Sequence, residues 1–417
     1  MIYILEASPG LSASIRLPAS KSISNRALIL NALSKSIHPI APLSDSDDTQ
    51  VLYKALQGLE TKMIDIGAAG TSMRFLTAYL SLQEGEWMLT GSPRMKNRPI
   101  GILTDALRQL GAEIQYVEKE GFPPLFIRGK KMKGGSVSLN GSVSSQFISA
   151  LMMIAPALEQ GLNLHLEGNI VSLPYIEMTV RLMERYGIKV NWEGQIIQIS
   201  PQSYTPAVFR IEGDWSAASY WYEIQTLAAE NAAIELQGLE KNSIQGDAAC
   251  VSLFETMGIQ TFFTDSGVQL EKNQVNFREK TVSSSEMVYD FTNEPDLAQT
   301  FVVVCCLSDR HFRFTGLQSL RIKETDRISA LQNEMRKLGY LIREESGSIL
   351  EWKGERCEPE LDPVISTYDD HRMAMAFAPV CLKTKKIRIK DPEVVAKSYP
   401  NYWNDLSKAG FIITEEK

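Results

Sequence analysis

The chain has 417 residues, 44% hydrophobic and 22% charged, a composition typical of a folded globular protein long enough for two or more domains. Its 43 Lys and Arg residues against 50 Asp and Glu give a formal net charge of −7, which makes non-specific nucleic-acid binding a poor hypothesis. An anionic ligand must therefore be captured by basic groups at particular positions rather than by the overall field.

The N-terminal stretch MIYILEASPGLSASIRLPAS alternates apolar and polar side chains as a β-strand does. It lacks the basic start and long apolar core of a secretion signal, and the chain contains no apolar run long enough to span a membrane. We therefore expect a protein that is neither exported through such a signal nor membrane-inserted, and that acts in the cytoplasm.

One pattern recurs along the chain: the end of an amphipathic helix, a glycine, and then a short alternating strand. The glycines that mark it are Gly58, Gly111, Gly187, Gly258, Gly339 and Gly410. Glycine directly after a helix is typical of a left-handed C-cap. The repeats are too far apart for a helical or leucine-rich solenoid, so they predict two similar α/β domains of three units each. The simpler interpretation is that helix-Gly-strand junctions occur in any α/β protein.

Seven predicted helix entrances combine small or polar residues with basic or amide side chains. They are ASKSISNRALIL with Lys21, Ser22 and Arg26, GAAGTSMRFLTAYL with Gly70, Thr71 and Arg74, GSPRMKNRPIGIL with Arg98, NGSVSSQFISALMMIAPAL with Ser144, Ser145 and Gln146, SLRIKETDRISALQNEM with Arg321, Lys323 and Arg327, YDDHRMAMAFAPV with His371 and Arg372, and VVAKSYPNYW with Lys397. Helix N-termini attract anions, and Arg and Lys add charge-assisted donors. Each entrance alone is more simply a capped helix with a solvated side chain. Seven of them in an acidic chain favour a site for a strongly anionic ligand, although GAAGTSMR is not a P-loop.

Two carboxylates accompany these cations. Asp296 follows Pro295 in TNEPDLAQTFVVV, and Glu324 lies between Lys323 and Arg327 in RIKETDRI. Acidic residues in a first turn are also ordinary partners of the helix dipole. Their position beside anion-binding cations favours an acid–base role.

The five cysteines form neither a disulfide framework nor a zinc pattern. We expect Cys250, Cys305, Cys306, Cys357 and Cys381 to be reduced core residues, and no metal to bind.

The segments PASKSISNRALIL, AAGTSMRF, GSVSSQFISAL, RIKETDRI, YDDHRMAMAFA and AKSYP, in this order, resemble the 5-enolpyruvylshikimate-3-phosphate synthase family of enolpyruvyl transferases. That family transfers the enolpyruvyl group of phosphoenolpyruvate to the 5-hydroxyl of shikimate 3-phosphate and releases phosphate, in the shikimate pathway to chorismate and the aromatic amino acids. The resemblance implies small-molecule substrates and no metal or organic cofactor. It also implies a free-standing, bacterial-type monomer without nucleic-acid or membrane partners.

The fold that the resemblance implies is a two-domain inside-out α/β barrel of six βαβαββ units, three per domain. Residues 1–20 and 212–417 would form a discontinuous domain that holds both termini. Residues 21–211 would form the inserted domain, with the active site in the cleft between the two.

The resemblance also implies roles for individual residues. Shikimate 3-phosphate would contact Lys21, Ser22, Arg26, Ser144, Ser145, Gln146, Ser172, Tyr175, Asp296 and Lys323. Phosphoenolpyruvate would be held by Lys21, Gly70, Arg98, Gln146, Arg327, Arg372 and Lys397. In an addition–elimination through a tetrahedral intermediate, Asp296 would accept the hydroxyl proton. Glu324 and Lys21 would share the proton transfers at the methylene carbon and bridging oxygen, and the sequence leaves open which does which.

Four residues depart from the family's usual motifs: Ala68 replaces a common Asn, Phe75 a Pro, Ser92 an Asp, and Leu173 a Lys. None of them removes a proposed acid–base group or phosphate-binding arginine. The family is also the target of glyphosate, which occupies the phosphoenolpyruvate site. Gly70 leaves space for that inhibitor, so the resemblance implies sensitivity.

Three alternative functions fit less well. A UDP-N-acetylglucosamine enolpyruvyl transferase typically uses a loop cysteine in the first half of the chain, whereas the first cysteine here is Cys250. An RNA 3′-phosphate cyclase needs a histidine nucleophile and a route for RNA, but His371 lies in the DDHR motif of an acidic chain. A catalytically degenerate anion-binding relative would not be expected to retain Lys21, Asp296 and Glu324.

Overall fold

The computed structural model describes residues 1–8, 10–228, 232–273 and 286–416. The helices are α1 Lys21–Leu33, α2 Asp47–Gln57, α3 Gly70–Leu82, α4 Gly101–Gln109, α5 Ser145–Ile154, α6 Leu173–Arg185, α7 Trp215–Leu227, α8 Cys250–Glu255, α9 Ala298–Leu307, α10 Arg327–Lys337, α11 His371–Phe377, α12 Cys381–Thr384 and α13 Tyr402–Ala409. The strands are β1 Ile2–Ala7, β2 Ser12–Arg16, β3 Met63–Asp65, β4 Gly85–Thr90, β5 Glu113–Tyr116, β6 Leu125–Gly129, β7 Gly135–Asn140, β8 Leu162–Glu167, β9 Asn191–Glu193, β10 Ile196–Ile199, β11 Ala233–Gln237, β12 Ile259–Phe263, β13 Gly267–Lys272, β14 Met287–Asp290, β15 Phe312–Thr315, β16 Arg343–Glu345, β17 Ile349–Trp352, β18 Val364–Ile365, β19 Lys386–Lys390 and β20 Phe411–Glu416.

The chain forms two compact units. Met1–Pro18 and Glu212–Lys417 make up one, the discontinuous unit, and Ala19–Ile211 make up the other, the inserted unit. The discontinuous unit contains the sheets β18-β19-β1-β20, β12-β13-β11-β2 and β14-β15-β17-β16. The inserted unit contains β3-β4-β6-β5 and β7-β8-β10-β9.

All five sheets follow one plan. Each has a parallel pair at one edge and continues through two antiparallel pairs, as in β3 with β4, then β6, then β5. The parallel pair needs a helical crossover, which α3 supplies between β3 and β4, and α4 then leads into the β5–β6 hairpin. The repeated pattern in the sequence thus corresponds to a βαβαββ unit.

The sixth unit is represented by helices alone. In the fully described inserted unit, α1 and α2 have no sheet of their own. The segment 34–46 between these two helices and the segment 200–211 at the end of the inserted unit contain no strand. These segments carry Pro39, Pro42, Pro201 and Pro206. Each proline removes one N–H donor from a potential strand ladder, which disfavours pairing there.

The central helices are buried and the sheets are exposed on one face. Every residue of α9 and of α11 is buried; α9 is apolar apart from Gln299 and Thr300, whereas α11 also buries His371 and Arg372 in its first turn. Strands such as β8 alternate buried and exposed side chains, as sheets with one solvent face do. Helices inside and sheets outside give the inside-out arrangement.

Two smaller predictions are only partly correct. The glycines after α4, α6, α8, α10 and α13 have positive φ, but Gly58 has φ −116°, which other residues adopt as well. Four cysteines are buried and none is in a disulfide, whereas Cys357 is half-buried and is not a core residue. In the described part of the chain, no helix is both long and apolar enough to cross a membrane.

Candidate active site

The predicted residues of the inserted unit lie in the first turns of α1, α3, α5 and α6, apart from Arg26 in the second turn of α1 and Arg98 in the segment before α4. Lys21 and Ser22 open α1, Gly70 opens α3, and Ser144 caps α5 by accepting the Gln146 N–H at 3.3 Å. The side chain of Gln146 donates to Thr71 Oγ1 at 3.1 Å, so the starts of α3 and α5 are bonded together.

Arg26 ties α1 to α5 and α6. Its Nε donates to Thr179 Oγ1 at 2.8 Å, and Nη2 donates to Ser149 Oγ at 3.1 Å and to the Tyr175 carbonyl at 3.2 Å. Nη1 donates to the Ser22 carbonyl at 3.0 Å. The guanidinium is buried against neutral partners, and burial lowers its pKa to about 10. Arg26 therefore fixes the positions of Ser22 and Tyr175, two other predicted contacts.

Gly70 has a close neighbour that explains why it lacks a side chain. A Cβ at this position would lie 2.6 Å from Arg98 Nη1 and 3.0 Å from Arg74 Nη1. Arg74 Nη1 also donates to the Gly70 carbonyl at 2.9 Å. The first turn of α3 thus has two guanidinium groups beside it, a combination of a helix N-terminus and cations that suits an anion.

Lys21 and Ser172 complete the predicted set in this unit. Lys21 Nζ lies 3.5 Å from Asp48 Oδ2. Ser172 is the residue before α6 and has the left-handed values φ 54° and ψ 40°, which a non-glycine residue rarely adopts. Such strain is concentrated at functional sites, where the surroundings enforce it.

In the discontinuous unit, Asp296 is surrounded by cations. Its Oδ1 accepts from Arg327 Nη1 at 2.9 Å and lies 3.6 Å from Lys323 Nζ, while Oδ2 accepts from Arg372 Nη2 at 2.9 Å. Glu324 accepts from Arg327 Nη2 at 2.9 Å. The structure therefore brings these five predicted residues into one cluster, the Asp296 cluster.

Arg327 is the centre of this cluster. It is 1% exposed and also donates through Nε to Asp370 Oδ2 at 2.7 Å. Burial acts to lower its pKa, but the carboxylates of Asp370, Glu324 and Asp296 outweigh burial, so the pKa is raised.

Several participants were missed by the sequence reasoning. Asp370 binds Arg327 and also caps α11, accepting the Arg372 N–H at 2.9 Å. Arg372 donates to Ser216 Oγ at 3.3 Å and to Tyr220 Oη at 3.3 Å. The signal for Asp370 was present, because an Asp before an apolar helical run is a typical N-cap.

Two buried carboxylates lie near the cluster. Ser216 Oγ donates to Asp247 Oδ2. Burial raises the pKa of Asp247 to about 6, and the charge of Asp296 adds to that shift. Burial likewise raises the pKa of Glu294 to about 7, and Glu294 accepts a hydrogen bond from Tyr289 Oη at 3.0 Å. Beside the cations of the Asp296 cluster there are thus two carboxyl groups whose pKa burial raises, Asp247 and Glu294.

Lys397, the remaining predicted residue, donates to the Asp369 carbonyl at 2.6 Å. It is thereby bonded to the turn that carries Asp370.

Two departures from the usual motifs have structural explanations. Ser92 Oγ accepts the Met95 N–H at 3.3 Å, which is the capping role that an Asp would also play. Phe75 is buried with its ring 5.5 Å from the Arg26 guanidinium, a cation–π contact.

The chain is similar to known proteins in both sequence and fold. The sequence profile of "EPSP synthase (3-phosphoshikimate 1-carboxyvinyltransferase)" matches residues 5–66 and 59–406. A protein of Bacteroides fragilis (strain YCH46) named 3-phosphoshikimate 1-carboxyvinyltransferase is 54% identical over 413 residues, which cover 99% of this chain and 98% of that protein. A protein of the same name from Vibrio campbellii (strain ATCC BAA-1116) is 37% identical, covering 95% of this chain and 96% of its own. A solved structure of EPSP synthase from Acinetobacter baumannii covers 100% of both chains with a TM-score of 0.76 at 19% identity, which shows a shared fold.

Proposed function

The chain belongs to the EPSP synthase (3-phosphoshikimate 1-carboxyvinyltransferase) family, and on that premise we propose how its residues carry out the family's reaction. The protein transfers the enolpyruvyl group of phosphoenolpyruvate to the 5-hydroxyl of shikimate 3-phosphate and releases phosphate. The observation that carries the assignment of roles is the carboxylate of Asp296 held between Arg327 and Arg372. It places a candidate base among candidate anion-binding groups.

Shikimate 3-phosphate is proposed to bind at the starts of α1, α5 and α6. The residues that would contact it there are Lys21, Ser22, Arg26, Ser144, Ser145, Gln146, Ser172 and Tyr175, with Asp296 and Lys323 from the discontinuous unit. Arg26 has four of its five N–H groups engaged within the unit, so its main contribution is to position Ser22 and Tyr175.

Phosphoenolpyruvate is proposed to bind Lys21, Gly70, Arg98, Gln146, Arg327, Arg372 and Lys397. Gly70 and Arg98 support this role through the close approach of the guanidinium to the first turn of α3. The proposal requires both units to act on one pair of substrates. The resemblance implies this for a domain of residues 1–20 and 212–417 and a domain of residues 21–211.

Substrate binding would activate Asp296. The carboxylate and phosphate of phosphoenolpyruvate compete with Asp296 for the N–H groups of Arg327 and Arg372. As those donors turn to the substrate, Asp296 loses neutralising partners and becomes more basic. It then accepts the 5-hydroxyl proton while the hydroxyl oxygen bonds to C2 of phosphoenolpyruvate and a proton is added to C3.

The second step expels phosphate. One proton leaves the new methyl group, the C2–C3 double bond re-forms, and the C2–O bond to phosphate breaks. Glu324 and Lys21 are the proposed proton carriers, and one group can serve in both directions by microscopic reversibility. The arginines stabilise the charge that develops on the leaving phosphate.

Phosphate release by the purified protein tests this function. Phosphoenolpyruvate is supplied with shikimate 3-phosphate in one tube and with UDP-N-acetylglucosamine in the other, both with a chelator. We expect phosphate release in the tube with shikimate 3-phosphate and none in the tube with the sugar nucleotide. The opposite result contradicts the assignment.

In the same assay we expect glyphosate to inhibit competitively with phosphoenolpyruvate, and full activity at a large excess of glyphosate contradicts that expectation.

The proposal also includes a monomer that acts in the cytoplasm without nucleic-acid partners. Light scattering of the active protein tests the first part, and a stable dimer at assay concentration contradicts it.

A further inference from the structure

The turn before α11 has an unusual backbone. Tyr368 and Asp369 are consecutive non-glycine residues with φ values of 55° and 56°. A residue with a side chain is strained in the left-handed region, so the turn persists only if its surroundings hold it. The two residues directly precede Asp370, which binds Arg327, and Arg372 follows in the first turn of α11.

Glu334 is the residue that holds this turn. Its side chain is fully buried, with Oε1 accepting from Tyr368 Oη at 2.6 Å and Oε2 accepting from the Ser366 N–H at 3.0 Å. Lys337 Nζ also donates to Oε2 at 2.7 Å and balances its charge. The buried carboxylate of Glu334 therefore binds the turn at two points: the backbone N–H of Ser366, before the strained residues, and the side-chain hydroxyl of Tyr368, the first strained residue.

Helix α10 contacts the turn at two points. Arg327 at its start binds Asp370, and Glu334 lies seven residues later, two turns along the same helix face. The ends of the strained segment are thus fixed to one rigid element. A shift of the turn along α10 would break both contacts together.

The Tyr368 side chain lies at the surface, with 36% of the residue exposed, although its hydroxyl reaches the fully buried Glu334. The hydroxyl bond to Glu334 is therefore a specific contact that ties this side chain to α10. Replacing the hydroxyl removes the tie and leaves Glu334 Oε1 without its Tyr368 donor, so the turn should loosen at a moderate cost in overall stability.

We propose that Glu334 and Tyr368 are positioning residues for the enolpyruvyl transfer, which hold residues 367–370 in the left-handed turn that keeps Asp370 and Arg372 aligned with Arg327. This inference rests on the proposed role of Arg372 in binding phosphoenolpyruvate. The pair acts through Asp370 and Arg372 and needs no contact with substrate.

Tyr368→Phe in the full-length protein tests the inference. The KM for phosphoenolpyruvate should rise about tenfold, with kcat and the KM for shikimate 3-phosphate within about twofold of the parent. The matched control is Tyr204→Phe, since Tyr204 lies in the segment 200–211, which carries no predicted site residue, and its Oη donates to the Met153 carbonyl at 2.6 Å near the end of α5. The control should lose comparable stability and leave both KM values unaltered. Equal effects of the two variants on the KM for phosphoenolpyruvate would overturn the inference.

A second readout does not depend on turnover. Hydrogen exchange of the amides of Arg372 and Met373 should be faster in Tyr368→Phe than in the parent and unaffected in Tyr204→Phe. Adding Asp369→Gly to Tyr368→Phe should recover most of the lost affinity, because glycine adopts positive φ without strain. Unaltered exchange, or no recovery in the double variant, would overturn the positioning role. Absence of turnover in the parent protein would instead count against the proposed function.

Discussion

Arg26 and Arg327 are both fully buried guanidinium groups, yet their partners differ in kind. In the inserted unit, Arg26 donates to hydroxyls and backbone carbonyls, and burial lowers its pKa to about 10. In the discontinuous unit, Arg327 donates to Asp296, Glu324 and Asp370, and these carboxylates raise its pKa despite burial.

The difference separates binding from chemistry. A guanidinium with neutral partners keeps its net positive charge and contributes a field that attracts anions. The positive charge of a guanidinium with carboxylate partners is balanced by those carboxylates until another anion displaces one of the carboxylates. We infer that the inserted unit mainly binds substrate and that the Asp296 cluster supplies the base. Substrate anions would free the Asp296 carboxylate from its arginine partners.

The largest expected effect follows from removing that base. Asp296→Asn should lower kcat by about 10²- to 10⁴-fold, the usual contribution of a general base, while the protein remains folded. Single-turnover phosphate release measures the loss. Asp290→Asn is the control, because Asp290 is the exposed last residue of β14, six residues before Asp296, and its carboxylate accepts the Thr292 N–H at 2.9 Å. A similar loss of rate in both variants would contradict a specific role for Asp296.

Matched arginine-to-lysine substitutions test whether Arg327, with carboxylate partners, contributes more to stability than Arg26, with neutral partners. Arg327→Lys loses the fork that binds Asp370 and should lower the free energy of unfolding by about 3 kcal/mol, since the fully buried Asp370 carboxylate loses the charged donors that Arg327 supplies. Arg26→Lys leaves only neutral groups unpaired and should cost about 1 to 2 kcal/mol. Urea unfolding measures both. Equal losses, or a larger loss for Arg26→Lys, would remove the distinction between the two arginines.

Gly70→Ala tests the phosphoenolpyruvate part of the inserted unit. The added Cβ would lie 2.6 Å from Arg98 Nη1, so the side chain of Arg98 must move. We expect the KM for phosphoenolpyruvate to rise roughly tenfold with the KM for shikimate 3-phosphate little altered. Gly58→Ala is the control, because its Cβ would have a nearest contact of 3.4 Å and its φ is −116°. A KM for phosphoenolpyruvate that stays at the parent value would show that Arg98 is not displaced or does not bind this substrate.

The smallest expected effect concerns pH. The folded pKa of Glu294 is about 7, above its unfolded value, so this group's contribution to stability is complete at low pH and is lost as pH rises through about 7. Glu294→Gln should remove that loss. The stability difference between pH 5 and pH 8 should therefore shrink by about 1 kcal/mol after allowance for solvent screening. Unfolding curves at the two pH values measure it, with the exposed Glu159→Gln as control, and an unaltered difference would contradict the shifted pKa.

The sequence identified the residues better than their partners. Asp296, Glu324, Arg327 and Arg372 were expected at one site from their motifs, and the structure joins them directly. The Ser216 and Asp247 contacts were not foreseeable, because they depend on packing of segments far apart in the chain. Likewise, single motifs could not reveal that Arg26 is engaged by neutral groups from α5 and α6.

The fold shows the same limit. Helix–glycine–strand repeats predicted the α/β units, and five four-stranded sheets follow one plan in the described residues. The sixth unit is represented by its helices α1 and α2, while segments 34–46 and 200–211, which carry Pro39 and Pro201, contain no strand. Local pattern predicted the helices, whereas pairing of strands from distant segments depended on which backbone N–H groups were available.

The most direct test is the binding of phosphoenolpyruvate to Asp296→Asn in the presence of shikimate 3-phosphate, measured by equilibrium titration. If Asp296 competes with substrate for Arg327 and Arg372, the variant should bind phosphoenolpyruvate as tightly as the parent or more tightly, although it turns over slowly. Weaker binding by the variant would show that Asp296 supports the binding site instead of competing with the substrate for it, and would contradict the account.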